Sequence, residues 1–146
     1  MELQSIKLKN FDLIKVNLDN KEHLIFLKEL FQNKDDKSLE FLGDLSNVSD
    51  KNAFVVRDVD LKFIGYFSMS IPTVNKLGLR TSGIYYAIDS RYRNKGYATK
   101  LLQEVSSYLF GELDMLVLSI DKDNKASRRV AEKNFFHVIF EDEDDV

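Results

Sequence analysis

The segment from Gly83 to Ile120 constrains the fold of this chain more than any other. Its two ends, Gly83–Ile88 and Met115–Ile120, are short runs rich in apolar and β-branched residues, which predict strands. Between them, apolar residues recur at helical spacing from Tyr97 to Phe110. A strand, a helix and a second strand in this order predict a right-handed parallel crossover within one sheet.

The remaining elements are predicted from the same two periodicities. Polar and apolar residues alternate over Ile6, Leu8 and Leu13–Leu18, which predicts a half-buried strand. Further strands are expected over Ala53–Arg57, Lys62–Ser70 and Phe136–Glu141, and further helices after Asp19 or Asn20, over Leu39–Leu45 and over Asn124–Asn134. The order β-α-α-β-β-β-α-β-α-β indicates an α+β domain, or a three-layer α/β one, around a single mixed sheet.

The composition is that of a soluble protein of one domain. Its 146 residues are enough to bury a sizeable core, and 44% hydrophobic with 31% charged residues is typical of globular proteins. The absence of cysteine excludes a disulfide scaffold, a thiolate metal site and a cysteine nucleophile. The longest apolar run, Leu24–Leu27, is too short to span a membrane, and the first residues lack a secretory signal. We expect one cytoplasmic domain over residues 1–146, with a short acidic tail over 141–146.

The loop between the first strand and the helix of the crossover carries the densest chemical signal. Four basic residues and no acidic residue fall within residues 91–100. Gly96 stands where the helix begins, so the first N–H groups there lack intrahelical partners and the helix dipole is positive. Together with the nearby cations, these features predict a phosphate cradle. A solvated basic loop with a glycine hinge is an equal alternative on this loop alone.

Two segments taken together resemble the GNAT acetyltransferase superfamily. Residues 84–102, with the pattern Arg93-x-x-Gly96-x-Ala98, resemble its acetyl-CoA-binding segment. Residues 124–133, followed by Phe136, are similar to its second cofactor segment, in which Asn-x-x-Ser opens a helix. The resemblance extends over roughly residues 6–140 and is nearest to the branch of ribosomal-protein N-terminal-amine acetyltransferases.

The resemblance implies a fold, an activity and a set of binding residues. The fold would be a GNAT-like single mixed sheet, mostly antiparallel, with a central parallel crossover and a splayed strand pair at the cofactor site. The activity would be acetyl-CoA-dependent acetylation of a primary amine, on a protein N-terminus or a small molecule, by direct attack and without a metal. The implied cofactor-binding residues are Ile88, Arg93, Asn94, Lys95, Gly96, Tyr97, Ala98, Thr99, Asn124 and Ser127.

The resemblance implies a part for each of these residues in holding acetyl-CoA. The backbone over 93–98 would bind the pyrophosphate, and Thr99 would add a hydroxyl in the first turn. The Ile88 backbone and the Asn124 side chain would hold the pantetheine arm, with Ser127 beside them. Because asparagine is also a favoured N-cap, capping is an equal alternative for Asn124. Arg128 and Lys133 are candidates for the adenosine phosphate, although a solvated helix face explains them as well.

The catalytic half of the chain departs from the family pattern. Ser82 occupies the place of the usual carboxylate base, and the helix over Asn124–Asn134 contains no tyrosine to act as the acid. Residues two apart share a strand face, so Ser82, Ile84 and Tyr86 should point together. Tyr86 and then Ser82 are therefore the predicted catalytic residues, with simple packing as the alternative for Tyr86.

Two other function classes compete with the enzyme. The missing acid and base favour a CoA-binding module without acetyltransferase activity, acting as a sensor or partner-binding domain. A nucleic-acid module is disfavoured by the net charge of −3 and the lack of aromatic residues interleaved over a wider basic face. We expect no membrane partner, and a homodimer is an open alternative.

His23 and His137 have no metal-ligand spacing and are predicted to be structural.

Overall fold

The computed structural model describes residues 5–17, 19–31, 52–118, 120, 124–134 and 136. These residues form a seven-stranded sheet and three α-helices. The strands are β1 (Ile6–Lys7), β2 (Asp12–Lys15), β3 (Asn52–Arg57), β4 (Phe63–Met69), β5 (Thr73–Val74), β6 (Arg80–Ile88) and β7 (Met115–Leu118). The helices are α1 (Lys21–Phe31), α2 (Tyr97–Leu109) and α3 (Lys125–Lys133), and a 3-10 turn spans Ser90–Tyr92.

The sheet is mixed but mostly antiparallel. Strands β1, β2, β3, β4 and β6 are neighbours in that order, each antiparallel to the next, and β5 pairs with the first residues of β6. Strand β7 pairs with β6 in parallel, and α2 connects the two along the chain. This topology confirms the predicted α+β class and the parallel crossover.

Two apolar clusters pack on opposite faces of the sheet. One contains the apolar side of α2 and, at its margin, Val130 of α3. The other contains the apolar side of α1. Side chains alternate along a strand, so β6 contributes Ile84 and Ile88 to the first cluster and Ala87 to the second. The described residues thus form three layers, with α1 on one face and α2 and α3 on the other.

The prediction of one long N-terminal strand is wrong. The structure has two short strands instead, β1 and β2, which form a hairpin with Ile6 opposite Leu13. Between them, the Leu8 N–H donates to the Phe11 carbonyl at 2.8 Å and so reverses the chain. The Glu104 carboxylate of α2 then accepts hydrogen bonds from the N–H and side-chain amide of Asn10, at 2.7 and 2.8 Å. This turn is stabilised by a residue 94 positions away.

The other predicted elements differ from the structure mainly at their ends. Strand β6 begins at Arg80 and not at Gly83, because β5 and β7 both pair with its first residues. The helix predicted over Leu39–Leu45, the acidic tail and all but Phe136 of the last predicted strand lie outside the described residues. None of the described helices has both the length and the apolar character needed to cross a bilayer.

Candidate functional site

Strand β6 extends beyond its pairing with β7. Among the described residues, the pairing runs from Thr81–Met115 to Ile84–Leu118, and β6 then continues to Ile88. Hydrogen bonds from Ser70 N to Gly83 O and from Asp89 N to Ile64 O, at 2.9 and 2.8 Å, show that the odd-numbered residues of β6 bond to β4. The backbone groups of Tyr86 and Ile88 therefore point away from β4, toward the side of β6 on which β7 pairs. Among the described residues, no strand pairs with this edge of β6 beyond Ile84.

A cavity of about 410 Å³ lies at this end of β6. Its walls come from the last residues of β6, the loop that follows, the first turn of α2 and one face of α3. It is lined by Tyr86, Ala87, Ile88, Tyr92, Arg93, Asn94, Gly96, Tyr97, Ala98, Thr99, Asn124, Ala126, Ser127, Arg129, Val130 and Lys133. The fold thus brings together every predicted cofactor-binding residue except Lys95, whose Nζ lies 5.9 Å from the ring centre of Tyr92.

Backbone geometry at the start of α2 leaves room for a ligand. Gly96 precedes the helix with φ of 80°, in the left-handed region that favours glycine, and a Cβ placed on it would meet no atom within 4 Å. No side chain caps this helix, and its first backbone hydrogen bond runs from Lys100 N to Gly96 O at 3.1 Å. The earlier N–H groups of the helix therefore lack intrahelical partners and lie at the cavity wall.

The loop before α2 is held by Asp89, which the sequence analysis did not single out. Its buried carboxylate caps the 3-10 turn by accepting from Arg91 N at 2.9 Å, and from Arg91 Nη2 and Nε at 2.9 and 3.2 Å. Burial alone would raise the pKa of Asp89, but these hydrogen bonds and the charges of Arg91 and Arg93 hold it below its usual range. Arg93 Nε also donates to Ile88 O at 3.0 Å. An aspartate directly after a strand was the available signal.

Asn124 directly precedes α3, at the other side of the cavity. Its Oδ1 accepts a hydrogen bond from Ser127 N at 3.1 Å, which makes it the N-cap of the helix. The same residue lines the cavity together with Ser127. The capping alternative is therefore present in the structure, and a ligand-binding role stays a prediction.

Comparison with protein families identifies the family of this chain. The family described as the acetyltransferase (GNAT) domain matches residues 7–137, which is most of the chain. The protein belongs to the GNAT acetyltransferase family. The predicted superfamily and enzyme class are thus confirmed. A search of curated protein sequences finds no match.

Solved structures show the same fold. A GNAT-family acetyltransferase from Bacillus anthracis is 19% identical, with a TM-score of 0.65, over 90% of this chain and 82% of that one. A Vibrio cholerae protein assigned as a ribosomal-protein-serine acetyltransferase is 17% identical, with a TM-score of 0.62, over 89% and 81%. Spermidine N-acetyltransferase from Vibrio cholerae, solved with CoA and spermine, is 20% identical, with a TM-score of 0.63, over 86% and 79%.

Tyr86 brings a buried hydroxyl to the cavity of this GNAT domain. The hydroxyl has no hydrogen-bond partner within the described part of the chain. Burial raises the pKa of Tyr86, and the nearby Ser127 side chain offsets only part of this effect. The hydroxyl is therefore protonated near neutral pH and is available as a donor. Orphan buried hydroxyls are uncommon, and one at a cavity wall is suited to a ligand acceptor.

Ser82, the second predicted catalytic residue, does not line the cavity. It is 2% exposed, and its Oγ donates to the Ser70 carbonyl at 2.8 Å. The Ser70 hydroxyl lies 3.3 Å away and in turn accepts from Gly83 N at 2.9 Å. These bonds tie Ser82 to the neighbouring strand β4. Its position between paired strands explains its burial and separates it from Tyr86, four residues along β6.

His23 lies in α1, on the opposite face of the sheet from the cavity. Its Nδ1 accepts from Asn17 N at 3.1 Å, and its ring packs edge-on against Phe63. Burial lowers the pKa of His23, and the charge of Glu22 offsets this only in part. These contacts fit the predicted structural role, while His137 lies outside the described residues. In the ranges that the structure describes, no group of three or more metal-ligating side chains is found.

The cavity lining is cationic. Among the described residues it includes Arg93, Arg129 and Lys133 and no aspartate or glutamate. The sequence analysis chose Arg128 and Lys133 on α3, but Arg128 is not among the lining residues and Arg129 is. The sequence could not separate these two neighbours, because the phase of the helix relative to the sheet decides which of them faces the cavity.

Proposed function

We propose that this GNAT protein transfers the acetyl group of acetyl-CoA to a primary amine, on a protein N-terminus or a small molecule. The observation that carries the proposal is the cavity at the end of β6, where uncapped helix N–H groups and three cations meet and none of the described lining residues is a carboxylate. Bound acetyl-CoA supplies an activated acetyl thioester. The open space over Gly96 suits the pyrophosphate of such a molecule, and the orphan hydroxyl of Tyr86 suits its thioester.

Residues at the two walls of the cavity would hold the cosubstrate. The N–H groups of Gly96, Tyr97 and Ala98 bind phosphate oxygens, because they lack intrahelical partners and lie at the positive end of the helix dipole. The backbone of Tyr86 and Ile88, turned away from β4, offers strand-like hydrogen bonds to the amides of the pantetheine arm. An N–H on this edge can also polarise the acetyl carbonyl, as at an oxyanion hole.

The protonation state of Tyr86 would determine its part in proton transfer. Because burial raises its pKa, the hydroxyl keeps its proton at neutral pH and cannot serve as the base. We propose that it donates this proton to the sulfur as the carbon–sulfur bond breaks, and that the proton lost by the attacking amine restores the hydroxyl. The acceptor then enters as the free amine, which is a minor species near pH 7 for an amine with a pKa near 10. Holding both reactants in line supplies much of the acceleration.

Two measurements on the full chain test this proposal. Calorimetry with acetyl-CoA measures binding, and a thiol-release assay against spermidine, an aminoglycoside, an amino sugar and short peptides measures turnover. We expect binding and acceptor-dependent thiol release with at least one amine. Binding without thiol release for any amine would favour the CoA-binding module instead. The observation that supports this module is that the Ser82 hydroxyl, in the place of the usual base, already donates to the Ser70 carbonyl. Failure to bind acetyl-CoA would contradict both functions.

The proposal also includes the compartment, the partners and the oligomeric state. We place it in the cytoplasm, with neither nucleic acid nor membrane as a partner, and we keep a homodimer as the oligomeric state to test. Sedimentation of the purified chain with and without acetyl-CoA distinguishes a monomer from a dimer.

A further inference from the structure

Strand β4 has one extra residue at the point where it meets the end of β6. The β3 partners of Phe63 and Gly65 are consecutive residues, so Ile64 between them is the extra residue of a β-bulge. On the other side of β4, Gly65 is opposite Ile88, the last residue of β6. A bulge bends its strand, and this one lies beside the strand end that leads to the cavity.

Gly65 and the end of β6 are too close to leave room for a side chain on Gly65. A Cβ placed there would overlap the Ala87 carbonyl oxygen and lie 3.1 Å from Ile88 Cδ1. Because the carbonyl belongs to the backbone, it cannot turn away, and the two strands would have to separate by on the order of 1 Å. Gly65 is not one of the glycines with positive φ. The close approach of two strands is therefore what requires glycine here.

The last residues of β6, which this close approach positions, form a wall of the cavity. Tyr86, Ala87 and Ile88 all line it. The bulge also holds the residue that follows β6, because Asp89 N donates to the Ile64 carbonyl at 2.8 Å. The position of this wall is thus set by contacts with the neighbouring strand β4.

These contacts give Gly65 an indirect part in the proposed reaction. In that reaction, the edge of β6 receives the pantetheine arm and the Tyr86 hydroxyl meets the thioester. Resting on the proposed function, we infer that Gly65 is a positioning residue. Because it lacks a side chain, β4 can hold the end of β6 where its backbone and the Tyr86 hydroxyl both meet acetyl-CoA. A side chain on Gly65 would displace both groups together.

The phosphate cradle at the start of α2 is positioned by other contacts. Helix α2 is anchored in the core by Leu101 and Leu102, each 1% exposed. Its first turn is also joined to the end of α3, where Asn134 Nδ2 donates to Thr99 O at 3.2 Å. A displacement of the end of β6 should therefore act on the thioester of acetyl-CoA and spare its pyrophosphate.

A purely structural role for Gly65 makes a different prediction. Gly65→Ala would then lower the melting temperature, but the folded variant would bind ligands and turn over substrate as the wild type does. Gly83→Ala is the matched control. Gly83 lies in β6, does not line the cavity, and a Cβ on it would be 3.7 Å from Ser70 Oγ, which is an ordinary contact.

Two ligands test the inference on the full chain: acetyl-CoA, which spans the cavity, and ADP, which offers the pyrophosphate without the pantetheine arm. By calorimetry, Gly65→Ala should bind acetyl-CoA about tenfold more weakly than the wild type and ADP within about twofold. Thiol release at saturating acetyl-CoA should fall about 100-fold, the cost of a misplacement of about 1 Å. Gly83→Ala should match the wild type in all three measurements.

A second variant separates the backbone overlap from crowding of a side chain. In Gly65→Ala/Ile88→Val, the Cδ1 atom beside the new methyl group is gone, but the overlap with the Ala87 carbonyl is not. This double variant should fold at least as readily as Gly65→Ala and keep the selective loss of acetyl-CoA affinity. Wild-type affinity and turnover in the double variant would contradict the inference.

The other outcomes separate this inference from the proposed function. Equal weakening of acetyl-CoA and ADP in Gly65→Ala, or no weakening of either with full turnover, would overturn the inference and leave the proposed function intact. If neither variant is folded by its thermal melt, even in the cold with ADP present, Gly65 is needed for the fold itself and the inference is wrong. Failure of the wild type to bind acetyl-CoA would overturn the proposed function, and the inference with it.

Discussion

At the scale of single residues, Gly96 has a counterpart that isolates its role. Gly78 also has φ of 80°, and a Cβ on either glycine would meet no atom within 4 Å. Only Gly96 lines the cavity. Gly96→Ala and Gly78→Ala should therefore cost similar stability, about 1–2 kcal/mol for a side chain in the left-handed region.

The difference between the two variants should appear in binding. Gly96→Ala places a methyl group where the phosphate must approach the backbone, so acetyl-CoA affinity should fall about tenfold, as for one lost charge-assisted hydrogen bond. Gly78→Ala should bind as the wild type does. Calorimetry on both variants checks this, and equal affinities would remove the loop from the binding site.

Two substitutions separate the capping role of Asn124 from a ligand-binding role. Asn124→Ala removes the cap and should cost about 1 kcal/mol of stability, whereas Asn124→Ser keeps a capping oxygen and should cost little. If the amide also binds the pantetheine arm, both variants lose acetyl-CoA affinity. The measurement is the melting temperature with and without acetyl-CoA. A Ser variant with wild-type affinity would mean that Asn124 acts only as the cap.

Tyr86→Phe tests the proton donor. Because the hydroxyl has no partner among the described residues, its removal should leave the free energy of unfolding unchanged or slightly higher. Thiol release should fall about tenfold or more at saturating acetyl-CoA, within the range for general acid catalysis. In the wild type, the rate should rise with pH through neutrality as free amine accumulates. A plateau with a kinetic pKa near 7 that persists in Tyr86→Phe would point to another titrating group.

At the scale of secondary-structure elements, the 3-10 turn after β6 depends on one ion pair. The pKa of Asp89 is lowered in the folded state, so its contribution to stability is present above the unfolded value near 3.8 and is lost as the pH falls through the folded pKa. Asp89→Asn should therefore lower the melting temperature at neutral pH, and the difference from the wild type should shrink at about pH 3.

Asp58→Asn is the matched control for this turn. Asp58 is equally buried and accepts hydrogen bonds from Asp60 N and Lys62 N, each at 2.9 Å, in the turn between β3 and β4. Both variants should lose stability, but only Asp89→Asn should also weaken acetyl-CoA binding, because its turn leads into the cradle. Loss of affinity in both variants, or in neither, would argue against this coupling.

Prediction of the elements from sequence succeeded where periodicity is local. The amphipathic pattern of α2 and the apolar runs of β6 and β7 are long enough to specify their type. Strands β1 and β5 have two residues each, too few to show a period. Their positions depend on distant contacts, such as Asn10 with Glu104 in the first turn.

The same distinction holds for the site. Some of its features follow from the local sequence, and others depend on tertiary packing. The left-handed Gly96 and the uncapped start of α2 were predictable, because a glycine at a strand-to-helix junction needs no distant partner. Three features were not predictable: the orphan hydroxyl of Tyr86, the choice of Arg129 over Arg128, and the exclusion of Ser82 from the cavity. Each depends on how α3 and β4 pack against β6.

At the scale of the whole molecule, charge is distributed unevenly. The chain carries a net charge of −3, yet the described cavity is lined by three cations and no acid. A concave site of one charge sign concentrates anions of the opposite sign. The fold thus places a local positive region, built from the crossover loop and α3, within an otherwise acidic protein.

The measurement that tests the central claim most directly is acceptor-dependent release of CoA from acetyl-CoA, with the acetylated amine identified by mass spectrometry. The account predicts a product whose formation requires both amine and enzyme, is strongly reduced in Gly96→Ala and is retained in Gly78→Ala. Tight binding of acetyl-CoA with no acetylated product from any amine would contradict it.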